Sequence, residues 1–158
     1  MRTSNARRYR AFSLIELVIV VVIIGIIAAI AIPRMSRGAE GAADAALKAD
    51  LAVMRSAVDL FLTEHVGTTP SSATNFEAEM TGKTDINGTA GGGPGFIYGP
   101  YLRAIPPLPV GTNKGTTLMK AIPPDGAGGA GWAYDLSTGD IFANSTDTDV
   151  DGRPYNTY

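Results

Sequence analysis

The chain has 158 residues, with 13 Lys plus Arg against 15 Asp plus Glu, a net charge of −2. That length sets an expectation of one domain, and the charge balance excludes the strongly basic footprint of a nucleic-acid binder. The absence of cysteine excludes disulfides, thiolate metal sites and a cysteine nucleophile, and the single histidine, His65, excludes a histidine-rich metal centre or a pair of histidines for acid–base work.

The charge and the apolar residues are unevenly placed. Residues 1–11 hold Arg2, Arg7, Arg8 and Arg10 and no acid, a local +4; the rest holds 9 basic and 15 acidic side chains, a net of −6. Leu17 to Ile32 follows as 16 consecutive residues without a polar side chain. Counted from Phe12 the run is 21 residues, interrupted only by Ser13 and Glu16. At ~1.5 Å per residue such a helix is about 31 Å long, close to the ~30 Å hydrocarbon thickness of a bilayer. A soluble core helix of this length would carry a polar face. The arginines resist transfer across the membrane, so residues 1–11 are expected to stay cytoplasmic and residue 33 onward to be exported. A secretory signal peptide cut after the Ala29/Ala31 pair is the competing reading. The length of the run and the carboxylate of Glu16 near its start count against it.

Pro33, a helix breaker, and the weak helix formers Gly38 and Gly41 mark a soft segment over residues 33–41. The helical signal then resumes. Leu47, Leu51, Met54, Val58 and Phe61 recur at spacings of 4, 3, 4 and 3, one apolar stripe of an amphipathic helix. Lys48, Asp50, Arg55, Asp59 and Glu64 lie off the stripe. Gly67 reads as the stop, and His65 as a helix-terminal residue that suits the dipole.

Residues 68–131 are rich in Gly, Pro, Thr and Ser, and AGGGPG (90–95), PPLP (106–109) and GAGGAG (126–131) read as loops. Phe76–Met80 is expected to form a short helical turn and Phe96–Tyr98 a short strand. GWAYDLSTGDIFAN, residues 131–144, reads as a β-hairpin turning at Ser137–Asp140. Its Trp132–Tyr134–Leu136 face is the expected cover for the helical stripe, with Trp132 in the core. The expected fold is therefore α+β: a long N-terminal helix, hydrophobic in its first half and amphipathic in its second, packed on a small antiparallel β-sheet.

Two local patterns invite chemistry. Asp147, Asp149 and Asp151 alternate before Gly152, as in the first half of a calcium loop. The remaining ligands would be backbone carbonyls such as those of Leu108 or Val110, Asn144 or water; the plainer alternative is a solvated acidic tail. Gly126, Gly128 and Gly131 satisfy GxGxxG, but no strand precedes them and no helix follows, so the nucleotide reading fails its context. Asn87-Gly88-Thr89 and Asn144-Ser145-Thr146 match the glycosylation triplet, which is short enough to arise by chance. No nucleophile–base pair is evident, and the chain is expected not to be an enzyme.

RAFSLIELVIVVVIIGIIAAIAIPRM, residues 10–35, closely resembles the N-terminal signature of type IV pilins and type II secretion pseudopilins. Phe12, Leu14, Ile15, Glu16, Leu17 and Pro33 match it; the residue before the cleavage point is Ala11, where the family has Gly. GPYLRAIPPLP (99–109) and the 131–144 hairpin resemble the major pseudopilin, although its usual Asp-Pro-Trp-Gly is missing. The resemblance implies a leader of residues 1–11 cut between Ala11 and Phe12, and N-methylation of the new Phe12 terminus. It also implies a membrane and filament-core helix at 12–32, an amphipathic continuation at 33–66, and a periplasmic loop and sheet region at 67–158. Glu16 would pair with the terminal amine of a neighbouring subunit during assembly, and Pro33, Gly38 and Gly41 would supply local helix flexibility. The family also implies bound Ca2+ near Leu108, Val110, Asp147, Asp149 and Asp151. The implied partners are further copies of the chain in a helical filament, the prepilin peptidase, an inner-membrane assembly platform and minor pilins or pseudopilins, with the membrane as host before assembly and no nucleic acid required. The alternative is a minor or tip pilin, or a membrane-tethered calcium-binding module without a filament-forming role.

Overall fold

The computed structural model describes residues 12–158. The chain divides into two compact units, Met1–Gly38 and Ala39–Tyr158. One α-helix, α1 (Leu14–Glu64, 51 residues), contributes to both. Pro33, Gly38 and Gly41 all lie inside it.

In the first unit α1 carries no polar side chain from Leu17 to Ile32, on any face. Leu14–Ile32 has a mean hydropathy of 3.2 and none of it is buried. A soluble helix would bury such a surface; this one is long and apolar enough to cross a membrane.

In the second unit the five stripe residues Leu47, Leu51, Met54, Val58 and Phe61 are all buried. They share one core with Phe76, Met80, Leu102, Ile105, Leu108, Val110, Trp132, Tyr134 and Ile141. Each large apolar side chain so buried contributes on the order of 1.5–3 kcal/mol relative to exposure. The expected helical turn is present as α2 (Phe76–Thr81). The strands are short: β1 (Lys83–Thr84) pairs antiparallel with β2 (Ala90–Gly91), and β3 (Met119–Ala121), β4 (Trp132–Tyr134) and β5 (Ile141–Ala143) form a second sheet. The expected hairpin is β4–β5, in the register Trp132↔Ala143 and Tyr134↔Ile141. The architecture is α+β, as the sequence indicates. β3 adds a parallel neighbour to β4 that the local pattern did not announce.

Two local expectations change. Leu136 does not extend the covered face and is half exposed. The reason is the Asp135 side chain, whose Oδ1 accepts from Ser137 N (2.8 Å) and Ser137 Oγ (2.6 Å); this turns the chain one residue earlier, and Leu136 falls in the loop. Phe96–Tyr98 is not a strand. Phe96 N–H closes a turn on Gly93 O (3.1 Å), and only Tyr98 bridges to Thr84.

The end of α1 is unusual at one residue. Gly67 N–H donates to Leu62 O (2.8 Å), the six-residue closure of a helix C-terminus in which the residue before the donor adopts the left-handed conformation. That residue is Val66, at φ 56°. A β-branched side chain is strained there, at about 1 kcal/mol or more, and Val66 is 88% exposed, so it gains little from packing. Val66→Gly is expected to stabilise the folded chain by about 1 kcal/mol. A thermal melt of the full chain in detergent checks this, with a rise of roughly 4 °C expected.

Candidate functional site

The first turn of α1 is built by Ser13-Leu14-Ile15-Glu16, the S-x-x-E pattern of a helix-capping box. Glu16 Oε2 accepts from the Ser13 backbone N–H at 3.0 Å. This meets one of the orphan donors of the helix start and places a carboxylate at the positive end of the dipole. Leu17 N–H bonds Ser13 O at 3.2 Å, closing the turn. Phe12, Glu16, Leu17, Val20 and Val21 line one apolar cleft along the first turns. The structure therefore brings Phe12 and Glu16 to the same helix start. Ala11 lies outside the described residues. Gly25, Gly38 and Gly41 have no packing requirement within the chain: among the described residues, a Cβ at any of them would meet no atom within 4 Å.

The observation that decides the reading of this segment is a family match. Residues 6–32 match the model of the prokaryotic N-terminal methylation motif. The chain carries the type IV pilin and pseudopilin signature. It coincides with the apolar start of α1 and contains both Phe12 and Glu16. No curated protein and no solved structure matches the chain significantly.

Beyond the signature, the acidic tail is organised by hydrogen bonds to its carboxylates. Asp147 does lie beside the loop that follows Val110: its Oδ2 accepts from Thr112 N (2.7 Å), Thr112 Oγ1 (3.0 Å) and Ser145 Oγ (3.1 Å). These bonds hold its carboxyl below the usual carboxylate range. Asp149 is used locally. Its Oδ1 accepts from Asp151 N (2.9 Å) and Arg153 N (2.8 Å), and its Oδ2 accepts from Tyr158 OH. The Tyr158 contact and the Arg153 amide lower its pKa in turn. The Leu108 carbonyl accepts from Gly115 N (2.8 Å), and the Leu108 and Val110 side chains are core. Among the described residues no three His, Cys, Asp or Glu side chains are grouped so as to hold a metal ion. In this arrangement Asp147 Oδ2 and both Asp149 carboxylate oxygens accept from N–H and O–H donors.

Several polar residues organise the second unit in ways the sequence pattern does not indicate. Asn144 is fully buried. Its Oδ1 accepts from Gly126 N (2.8 Å), and its Nδ2 donates to Ala127 O and Ala130 O, both at 2.9 Å. The glycine-rich loop 126–131 is thus wrapped around one amide, and its glycines serve the fold: Gly126, Gly128 and Gly129 have positive φ, and a Cβ on Gly131 would lie 2.4 Å from Thr116 O. Asp44, on α1, accepts from Tyr155 OH (2.7 Å) and Val150 N (3.3 Å). Burial first, and then the Asp44 carboxylate, raise the Tyr155 phenol.

His65 directly follows α1, as expected of a helix-terminal residue, and it is buried. It is 1% exposed, with Nδ1 3.3 Å from Ile86 O and Nε2 3.1 Å from Thr84 Oγ1 and 3.0 Å from Tyr101 OH. The Ile86 carbonyl can only accept, so Nδ1–H donates to it. Tyr101 OH donates to Glu64 Oε2 at 2.6 Å. Burial, and then that carboxylate, push the Tyr101 phenol up to about 12. These bonds fasten the segment after α2 to the end of α1.

Proposed function

We propose that this chain is a structural subunit of a type IV pilus-like or type II secretion pseudopilus filament. The observation that carries the reading is the methylation motif at 6–32 lying on a helix with no polar side chain from Leu17 to Ile32. The precursor sits in the inner membrane as a single span, with residues 1–11 cytoplasmic and the second unit periplasmic, in line with the arginine cluster. Prepilin peptidase cuts between Ala11 and Phe12, and the new Phe12 amine is methylated. The subunit then leaves the lipid through the assembly platform and packs with copies of itself, or with minor pilins, through the first half of α1.

Physics supports each step. Aliphatic helix surface is nearly as well accommodated by like helices as by lipid, so transfer costs little. A carboxylate at the span is expensive unless paired, at about 2.5–3.5 kcal/mol on insertion scales. Among the described residues Glu16 accepts from its own Ser13 N–H, and the cation created at Phe12 of a neighbour is the charge that would complete it. Gly25, Gly38 and Gly41, where a Cβ would meet no atom within 4 Å among the described residues, leave room for close helix approach or for local unwinding near Pro33.

The test is the mass of the N-terminal peptide from chain purified out of its native membrane. A peptide beginning at a methylated Phe12 is expected. A chain beginning at Met1, or beyond Ala31 as a secreted product, overturns the reading.

A further inference from the structure

The sequence holds two Asn-x-Ser/Thr triplets, and the structure treats them oppositely. We propose that Asn87 is an acceptor for N-linked glycan transfer, the donor being an oligosaccharide carried on a polyprenyl diphosphate. Such a triplet is used where the asparagine is on a surface segment of an exported region. Asn144 fails that condition, since it is fully buried and its Nδ2 is committed to Ala127 O and Ala130 O. Asn87 meets it. Asn87 and Thr89 are both exposed, and among the described residues the Asn87 side-chain amide bonds to none.

The turn that carries it is fixed from beneath. Asp85 Oδ1 accepts from Asn87 N and Thr89 N, each at 2.9 Å, and Asp85 N–H donates to Thr89 O at 3.0 Å. Gly88 is buried at φ 83°, and a Cβ there would lie 2.7 Å from Phe61 Cζ. Only glycine lets the turn seat on the end of α1. On the other side, the Ile86 carbonyl is held by His65 Nδ1. The result is a rigid turn that points its middle glycine inward and the two triplet side chains outward, with free solvent for a bulky product.

In the reaction the Asn87 Nδ2–glycan C1 bond forms and the C1–O bond to the diphosphate breaks. The polyprenyl diphosphate leaves, and one amide proton passes to a base of the transferring enzyme; nothing is oxidised or reduced.

The assignment rests on export of the second unit, as in the proposed function. The experiment takes full chain from its native membrane and filament fractions, digests it, and reads the Asn87, Asn144 and N-terminal peptides by tandem mass spectrometry. Hexose or N-acetylhexosamine increments on Asn87 are expected, with Asn144 unmodified, and both Asn87→Gln and Thr89→Val should reduce the signal to background. Both substitutions are at exposed positions, and an unchanged melting temperature confirms that the variants fold. An Asn87 peptide recovered without sugar overturns the assignment, as does sugar that persists in Thr89→Val. An unmodified Asn87 beside a processed Phe12 terminus removes this inference and leaves the filament reading standing.

Discussion

Asn144→Asp is expected to destabilise the second unit by about 4 kcal/mol at neutral pH, the range for a buried charge left without a partner. The side chain is fully buried, and two of its three hydrogen bonds are donations from Nδ2 to carbonyls, those of Ala127 and Ala130. A carboxylate has no donor to offer and would face both oxygens at the same distance. Asn144→Ala is milder, about 2–3 kcal/mol, because it strands the loop's groups without adding a charge. The measurement is a thermal melt of full chain in detergent, followed by near-ultraviolet circular dichroism of Trp132, the sole tryptophan and itself fully buried. For the aspartate a fall of about 15 °C is expected. The sign of its pH dependence is also fixed. A buried carboxyl has a raised folded-state pKa, so its penalty is largest at neutral pH and shrinks toward pH 4 as the group takes up a proton. A melt within a few degrees of the unaltered chain at pH 7 would mean that loop 126–131 is held by something other than this amide.

Glu16 is the second position of large effect, and here Gln separates two roles that Ala would confound. As a cap, the side chain accepts from Ser13 N–H at 3.0 Å. The amide oxygen of Gln can accept the same bond, so Glu16→Gln would be harmless if capping were all that Glu16 does. As the assembly partner of a methylated Phe12 amine, it must be charged, and Gln fails as badly as Leu. Both Glu16→Gln and Glu16→Leu are expected to lower filament yield at least roughly tenfold, the equivalent of about 1.4 kcal/mol per added subunit. The readout is the ratio of subunit in sheared filaments to subunit retained in membranes, so that poor expression is not mistaken for poor assembly. Normal yield from Glu16→Gln would assign the residue to the helix cap and remove the charge pairing.

Much of this architecture was legible in the sequence because its signals are periodic and local. The Leu47–Phe61 stripe repeats at helical spacing over four turns, and all five residues are buried. The β4–β5 hairpin has alternation on its first arm, then a turn cluster and an apolar return strand. β3 was not legible: it is three residues long and pairs parallel with β4, so nothing nearby in sequence marks it. Leu136 was placed on the wrong side because alternation does not say where a loop begins; the Asp135 side chain decides that. Asp–x–Asp–x–Asp reads as ligand spacing, yet the same spacing lets a carboxylate accept the N–H two residues on, as Asp149 does from Asp151. Asn144 and His65 were hidden for another reason: most of their partners are backbone groups 14 to 21 residues away, and no side-chain pattern records those.

No strand in the second unit is longer than three residues. Its turns are instead tied down one at a time: Asp85 under the Asn87 turn, Asp135 in the hairpin, Asn144 under the glycine loop, Asp147 beneath Thr112, Asp149 at the tail. A continuous ladder would hand a disturbance from one rung to the next, whereas knots tied separately do not. Surface variety can therefore accumulate turn by turn over a helix that stays the same.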